Sequence, residues 1–438
     1  MANILHPRSG CALHGALATL QAIEGVVPIV HANAGCAIQH TLAYRNGGAY
    51  AGGLATPASN IVDKQVIFGG GARLREQIKN TLKVVDGQLY VALGSCECAM
   101  VGDDLTGMAR EATEQGLPVV ASNVAGFHGD VYRGHERVWR DLIDALPEIT
   151  PPSPTHVEAD ARPLVNLFGL FAGGNPYYKG DLEELRRIVE GIGARASVFY
   201  GPGGAAALQA LPHAALNVVF SRWGEAAATR LEEKYGTPQL VFDAAPLGLE
   251  EVELFAQALV EKLDLDAAAA ERFIEREEAL SEYFLLGAAD RYFDEAVGKS
   301  VALVGDTETV LRLGGFLARS FGADIRAAIL TDRAADAEDA PPPALPWPTH
   351  ASADTGEIAA ILRERAADLI LASSLEAPIA QEIGAAFLPV SHPVLDRAIT
   401  DETYVGTRGA LRLSGDFLTA ARQIAHNGEA RLLAALRA

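Results

Sequence analysis

Three cysteines in the first hundred residues, Cys11, Cys36 and Cys96, are the side chains whose type and setting could do chemistry. Each sits in a glycine-marked turn: Ser9-Gly10-Cys11, Ala34-Gly35-Cys36 and Gly94-Ser95-Cys96. Thiolates ligate iron–sulfur clusters, and a nearby glycine lets the backbone come close enough for N–H groups to face cluster sulfurs. Cubane clusters commonly take four protein ligands, so a set of three implies that the remainder come from another chain. The spacing matches none of the compact zinc or ferredoxin patterns, and from the residues alone the three remain compatible with unrelated buried thiols. A fourth thiol makes Cys96-Glu97-Cys98. In an extended segment these two side chains would face opposite ways, so Cys98 reads as a small buried residue.

Turns of this kind need strands and helices to hold them. Val26–Val30, Leu89–Leu93 and Pro118–Ala121 are short apolar runs of the buried-strand type, each followed by a polar or glycine-containing loop. The pattern restarts after a proline-rich linker at 147–163, with Leu164–Gly169, a helix from about Asp181 to Gly191, Ser197–Tyr200, Leu216–Phe220 and Gln239–Phe242. A long helical stretch near 266–296 bridges to Lys299–Asp306, where Asp306 is the expected N-cap of a helix, then Ala327–Leu330 and Asp368–Ala372. A proline cluster from Pro341 to Pro348 reads as a surface loop. The expected fold class is α/β, with three Rossmann-like α/β/α domains and parallel sheets: 1–155 carrying the cysteines, 156–297 with the bridging helices, and 298–438. In such sheets, sites form beyond the carboxyl ends of the strands.

The formal charge of −20, from 56 acidic against 36 basic residues, argues against nucleic acid or an anionic membrane as partner. No leader is read in residues 1–25 and no apolar run approaches the roughly 18 residues of a spanning helix, so the expectation is a protein of the reducing cytoplasm. Phe68-Gly69-Gly70-Gly71 and Gly201-Pro202-Gly203-Gly204 lack both nucleotide-binding signatures and read as turns. His6, His14, His31, His40, His128 and His135 show no zinc-type spacing and read as structural. Asp103-Asp104 reads as an acidic helix start.

Taken in order, Gly10-Cys11-Ala12-Leu13-His14-Gly15-Ala16, the segment from Gly25 to Cys36, Phe68-Gly69-Gly70, and Cys96 ahead of Gly102-Asp103-Asp104-Leu105 resemble the nitrogenase component 1 superfamily. The resemblance continues through Asp290-Arg291-Tyr292-Phe293, Gly305-Asp306, His392–Arg397 and Gly406–Leu411, so it covers essentially the whole chain. It implies a nitrogenase component 1-like fold in which Cys11, Cys36 and Cys96 are the metal ligands, with Gly35, Gly94 and Ser95 as cofactor-binding neighbours. Cys96 rather than Cys98 fits, because it keeps the distance to Gly102-Asp103-Asp104. The implied cofactor is an [8Fe-7S] P-cluster-type iron–sulfur cluster shared across a subunit interface, or a [4Fe-4S] cluster.

No cysteine follows Cys98, so the chain resembles the β-type subunit and contains no catalytic residue of its own. The implied partners are an α-type catalytic subunit, in an α2β2 heterotetramer and holding a complex iron–sulfur cofactor, and a homodimeric ATP-dependent iron–sulfur reductase. Phe68 matches an aromatic at the reductase-docking surface. His31-Ala32-Asn33-Ala34-Gly35-Cys36 departs from the His-Gly-Ser-Gln-Gly-Cys type of word in nitrogenases, as does Cys98. The chain is most similar to methylthio-alkane reductases, nitrogenase-like oxidoreductases that cleave C–S bonds of small thioethers. A true nitrogenase β subunit and a cofactor-assembly scaffold are the alternatives.

Overall fold

Strands buried on both faces are the backbone of this molecule, and they were readable as continuous apolar runs because helices cover each side. The structure, a computed structural model, describes residues 8, 10–47, 56–149, 160–288, 293, 294, 296–333 and 344–437. Most of the expected proline linker, the prolines 341–343, His6, Ser9 and Asp290-Arg291-Tyr292 lie outside the described residues. Among the described residues there are three parallel sheets, and the chain divides into two compact units: residues 1–173 with 195–242, and residues 174–194 with 243–438. The expected middle segment 156–297 thus contributes to both units.

In the first unit, β1 (Val26–His31), β2 (Leu89–Gly94) and β3 (Val119–Asn123) pair in parallel, and His31, Gly94 and Asn123 stand in register at their carboxyl ends. The α-helices described in this part of the chain are α1 (Ala12–Gln21), α2 (Ala34–Gly47), α3 (Asp63–Phe68), α4 (Gly71–Val84), α5 (Cys96–Val101), α6 (Leu105–Glu114) and α7 (Val131–Ile149). One face packs Val27, Ile29, Tyr90 and Ala92 against Leu74 and Ile78 of α4 and Leu105 and Ala109 of α6. The other face is covered by α1 and α7. Those two helices cross backbone to backbone: a Cβ on Gly15 would lie 1.8 Å from the Val131 carbonyl oxygen, and one on Gly134 would lie 1.8 Å from that of Ala12. Only glycine permits this approach. A second sheet in the unit runs β5 (Arg195–Ser197), β4 (Leu164–Phe168), β6 (Leu216–Val219), β7 (Gln239–Val241).

In the second unit a five-stranded sheet has the order β10 (Thr349–Ala351), β9 (Asp324–Leu330), β8 (Ser300–Gly305), β11 (Leu369–Ala372), β12 (Ala386–Pro389). Asp306 caps the helix Thr307–Phe321, accepting from the Thr309 N–H at 2.8 Å, as expected. Buried charges here are paired: Arg312 with Glu308 at 2.8 Å, and Arg187 with Glu184 and Glu277, both at 2.7 Å.

The structure corrects one strand and adds two. The run Ser197–Tyr200 is ladder only at its start. Phe199 and Tyr200 are instead buried against Trp139, whose indole N–H donates to the Tyr200 hydroxyl at 3.2 Å, so this stretch owes its apolar character to aromatic packing. β10 and β12 have three and four residues and were missed, one being polar and the other ending in proline.

Candidate functional site

Beyond the carboxyl ends of the strands, Cys36 lies in the first turn of α2 after β1, Cys96 opens α5 after β2, and Gly126 opens a short 3-10 turn after β3. Cys11 comes from elsewhere in the chain. It precedes α1, and the α1–α7 crossing brings it to the loop before α7 through the Ala12 N–H to Gly129 carbonyl bond of 2.9 Å. Asp130 fixes the start of α7 by accepting from the Tyr132 and Arg133 N–H groups at 3.0 and 3.1 Å.

The sulfurs of Cys11 and Cys96 meet over Gly126. A Cβ there would stand 3.0 Å from Cys96 Sγ and 3.3 Å from Cys11 Sγ, and the Gly126 N–H donates to Cys96 Sγ at 3.0 Å. Cys36 belongs to the same corner: the charges of Cys11 and Cys96 reach its thiol, and His14, on the first turn of α1, lies beside its main chain. All three cysteines are half-buried. Burial pushes the Cys36 thiol up to about 12, and the nearby Glu97 carboxylate and the charges of Cys11 and Cys96 act in the same direction. Burial likewise raises Cys11, with Cys96 contributing. As bare thiols the two are therefore held protonated, and a cation beside them would reverse that preference.

Cys98 is turned away. Its thiol donates to the His31 carbonyl at 2.8 Å, it is 4% exposed, and burial pushes it up to about 11. The reason differs from the expected alternation of an extended segment: residues 96–101 form helix α5, where positions two apart also face different ways.

The glycine-flanked turns behave differently from expectation in detail. The Gly35 N–H bonds Asn33 Oδ1 at 2.8 Å and the Ser95 N–H bonds the His31 carbonyl at 3.2 Å, while Gly94 ends β2 with Leu105 3.2 Å from where a Cβ would be. The amide that reaches a cysteine sulfur is that of Gly126, which sequence reasoning missed. Glu97 was missed too. Its carboxylate accepts from Ser95 Oγ at 2.9 Å and from the Asn33 side chain, clamping the Cys36 loop to α5.

Asp104 caps α6 as expected, accepting from the Gly107 N–H at 2.8 Å. Asp103 has a tertiary role instead, bonding the Gly70 N–H at 2.6 Å and His31 Nε2 at 3.1 Å. His31, Cys98 and Asp103 are the one imidazole–thiol–carboxylate group of metal-binding type among the described residues, and all three are engaged in the hydrogen bonds just given. Phe68, at the end of α3, is 80% exposed and so is no core residue.

Two of the histidines are held by buried hydrogen bonds. His135 Nδ1 lies 2.8 Å from Thr19 Oγ1, and His40 Nε2 lies 2.9 Å from Gln21 Oε1. Burial pushes both down to about 3, with His14 adding to the effect at His40. Both are neutral in the folded chain but take up protons near pH 6.5 when unfolded, so their stabilising contribution is complete above that pH. It declines as the pH falls from 6.5 towards 3, by about 1.4 kcal/mol per pH unit for each imidazole. Calorimetric unfolding from about pH 7 to about pH 5 is expected to show a falling midpoint, with a shallower fall in His135→Gln. An unchanged slope in that variant would assign the effect to other groups.

The family described as nitrogenase component 1 type oxidoreductase matches residues 11–422. A nitrogenase molybdenum-iron protein beta chain of Methanococcus maripaludis is 22% identical, with 94% of this chain and 92% of that one aligned. A nitrogenase molybdenum-iron protein alpha chain of Methanosarcina barkeri is 28% identical over 53% of this chain and 43% of its own length. The nitrogenase iron-molybdenum cofactor biosynthesis protein NifE of Klebsiella pneumoniae is 28% identical over 52% of this chain and 51% of its own. The chain thus spans about half the length of the last two relatives. Among solved structures, that of "Nitrogenase Cp1 at pH 6.5" superposes with a TM-score of 0.74 at 19% identity, covering 97% of this chain and 94% of the other. At that identity the likeness shows the fold.

Proposed function

Because the chain belongs to the nitrogenase component 1 type oxidoreductase family, we propose that it is the β-type, electron-relaying subunit of a nitrogenase-like reductase complex. In this reading Cys11, Cys36 and Cys96 hold one half of an iron–sulfur cluster, and an α-type partner holds the other half. The observation that carries it is the meeting of Cys11 and Cys96 over Gly126, with Cys36 close enough for their charges to act on it. The donor set fits such a group: it is all thiol, and a residue without a side chain leaves space where the sulfurs face each other. Ile38 and Phe127, beside Cys36 and Gly126, are 57% and 61% exposed, an apolar edge of the kind a partner subunit covers.

When bound, an [8Fe-7S] P-cluster-type group, or a [4Fe-4S] cluster, would take up and pass on electrons. The chain's own residues position and screen it. The Gly126 N–H bonds the Cys96 sulfur, which lowers the electron density there, and Glu97 fixes the loop that presents Cys36. No cysteine after Cys98 is available for a second cofactor, so substrate bonds would break on the α-type partner. The departures in the word around Cys36 weigh against dinitrogen reduction, and the resemblance to methylthio-alkane reductases makes C–S cleavage of small thioethers the activity proposed. The NifE relative supports a second reading, a cofactor-assembly scaffold. A scaffold would hand its metal to an acceptor protein and show no turnover.

Electrons would arrive from an ATP-dependent iron–sulfur reductase docked at Phe68, in a cytoplasmic complex. Phe68 is the exposed last residue of α3, just before the Gly69 turn, and an exposed aromatic at the centre of an interface commonly contributes more than about 1 kcal/mol. Phe68→Ala is expected to raise the reductase concentration needed for half-maximal rate by fivefold or more, with folding and iron content intact. A wild-type rate with limiting reductase would remove Phe68 from the docking surface.

A further inference from the structure

Asp103 joins three segments that the proposed function uses separately. Its Oδ1 accepts from the Gly70 N–H at 2.6 Å, and its Oδ2 lies 3.1 Å from His31 Nε2. A carboxylate only accepts, so Nε2 carries the proton and donates, while the other ring nitrogen faces Ser59 Oγ at 2.9 Å. The main chain of His31, the last residue of β1, accepts from the Cys98 thiol at 2.8 Å and from the Ser95 N–H at 3.2 Å, so α5 is fastened to the strand that leads to Cys36. Asp103 itself follows α5 directly. Gly102, with φ +81°, turns the chain, and the Asp103 N–H bonds the Cys98 carbonyl at 3.0 Å.

The turn bearing Phe68 is shaped around this carboxylate. Gly69 has φ +86°, and a Cβ on Gly70 would stand 2.4 Å from Asp103 Oδ2 and 2.9 Å from His31 Nε2. The imidazole and carboxylate side chains are 0% and 7% exposed, so their bonds are shielded from water and are of the stronger, charge-assisted kind. Gly70 also caps α4, whose N-terminus favours a negative charge. An exposed aromatic turn is thereby linked by direct hydrogen bonds, one from Gly70 to Asp103, one from His31 to Asp103 and two onto the His31 carbonyl, to the strand that leads to Cys36 and to the helix that starts at Cys96.

Resting on the reading of Phe68 as the reductase-docking residue, we propose that Asp103 is a positioning residue that transmits docking at the Phe68-Gly69-Gly70 turn to the segments holding Cys36 and Cys96. Phe68 sets how tightly the reductase binds, whereas Asp103 sets how fast electrons pass once it is bound. In Asp103→Asn the side chain keeps its shape but offers one acceptor where two donors converge.

The test uses the complete complex with its reductase and separates affinity from rate. Asp103→Asn is expected to lower the limiting reductase-driven rate at least tenfold while the half-saturating reductase concentration changes less than twofold and the iron content stays at the wild-type value. His31→Gln is expected to follow the same pattern. Hydrogen–deuterium exchange of the segment around Gly70, measured on the same complex without reductase, is expected to rise at least tenfold in Asp103→Asn. A wild-type limiting rate, or an effect confined to half-saturation, would overturn the proposal, as would wild-type exchange at Gly70 or loss of iron in both variants. Should the wild-type complex fail to accept electrons from any such reductase, the functional reading itself fails, and the exchange result still reports on the Asp103 bonds to Gly70 and His31.

Discussion

Replacing Cys11, Cys36 or Cys96 by alanine, one at a time, is expected to strip or convert the bound iron and abolish reductase-dependent electron transfer, while Cys98→Ala keeps iron near the wild-type value. The contrast follows from geometry. Cys11 and Cys96 face the side-chain-free space over Gly126, and Cys36 lies near both, whereas the Cys98 thiol is spent on the His31 carbonyl. Removing Cys98 costs one buried hydrogen bond and a small volume, about 1–2 kcal/mol, which a chain of this size tolerates. Iron and acid-labile sulfide determinations on each variant decide the matter. Loss of iron in Cys98→Ala together with retention in Cys96→Ala would reverse the ligand choice.

Gly134→Ala is expected to unfold the first unit or to separate α1 from α7. Alanine in a helix ordinarily stabilises by about 0.8–1.0 kcal/mol relative to glycine. Here its methyl would sit 1.8 Å from the Ala12 carbonyl oxygen, 2.5 Å from the carbonyl carbon and 2.7 Å from Ala12 Cα, all backbone atoms with no rotamer to yield. Overpacking of this kind costs about 3 kcal/mol or more, so the clash outweighs the propensity gain. Because Ala12 follows Cys11, the displacement also carries that sulfur away from Gly126. Gly415→Ala is the control, since nothing lies within 4 Å of the added carbon. Thermal unfolding of the two variants is expected to differ in sign. A Gly134→Ala protein as stable as the wild type would mean that the helices do not cross so closely.

Much of the fold was legible because parallel strands buried on both faces leave uninterrupted apolar runs, as in Val26–Val30 and Leu89–Leu93. Short edge strands such as Thr349–Ala351 leave no such run, and Phe199 with Tyr200 mimics one through aromatic packing. Of the site, the cysteines were visible through residue type and their glycine contexts. Gly126 was not, because nothing local distinguishes a glycine that stands under a sulfur from one in a turn. Asp103 was legible only as half of an acidic helix start. Its bonds to Gly70 and His31 span 33 and 72 residues of chain, and no local pattern encodes partners so distant.

The central claim is that this chain holds half of a cluster and needs an α-type partner to complete it. The most direct measurement is the iron and sulfide content of the chain purified anaerobically, alone and after co-expression with an α-type chain of the same family and its assembly machinery. The account predicts little or no iron on the isolated chain, and a stable heteromer carrying a cluster that is lost when Cys11, Cys36 or Cys96 is changed. A full complement of iron on the isolated chain, with reduction of a thioether by that chain alone, would contradict it.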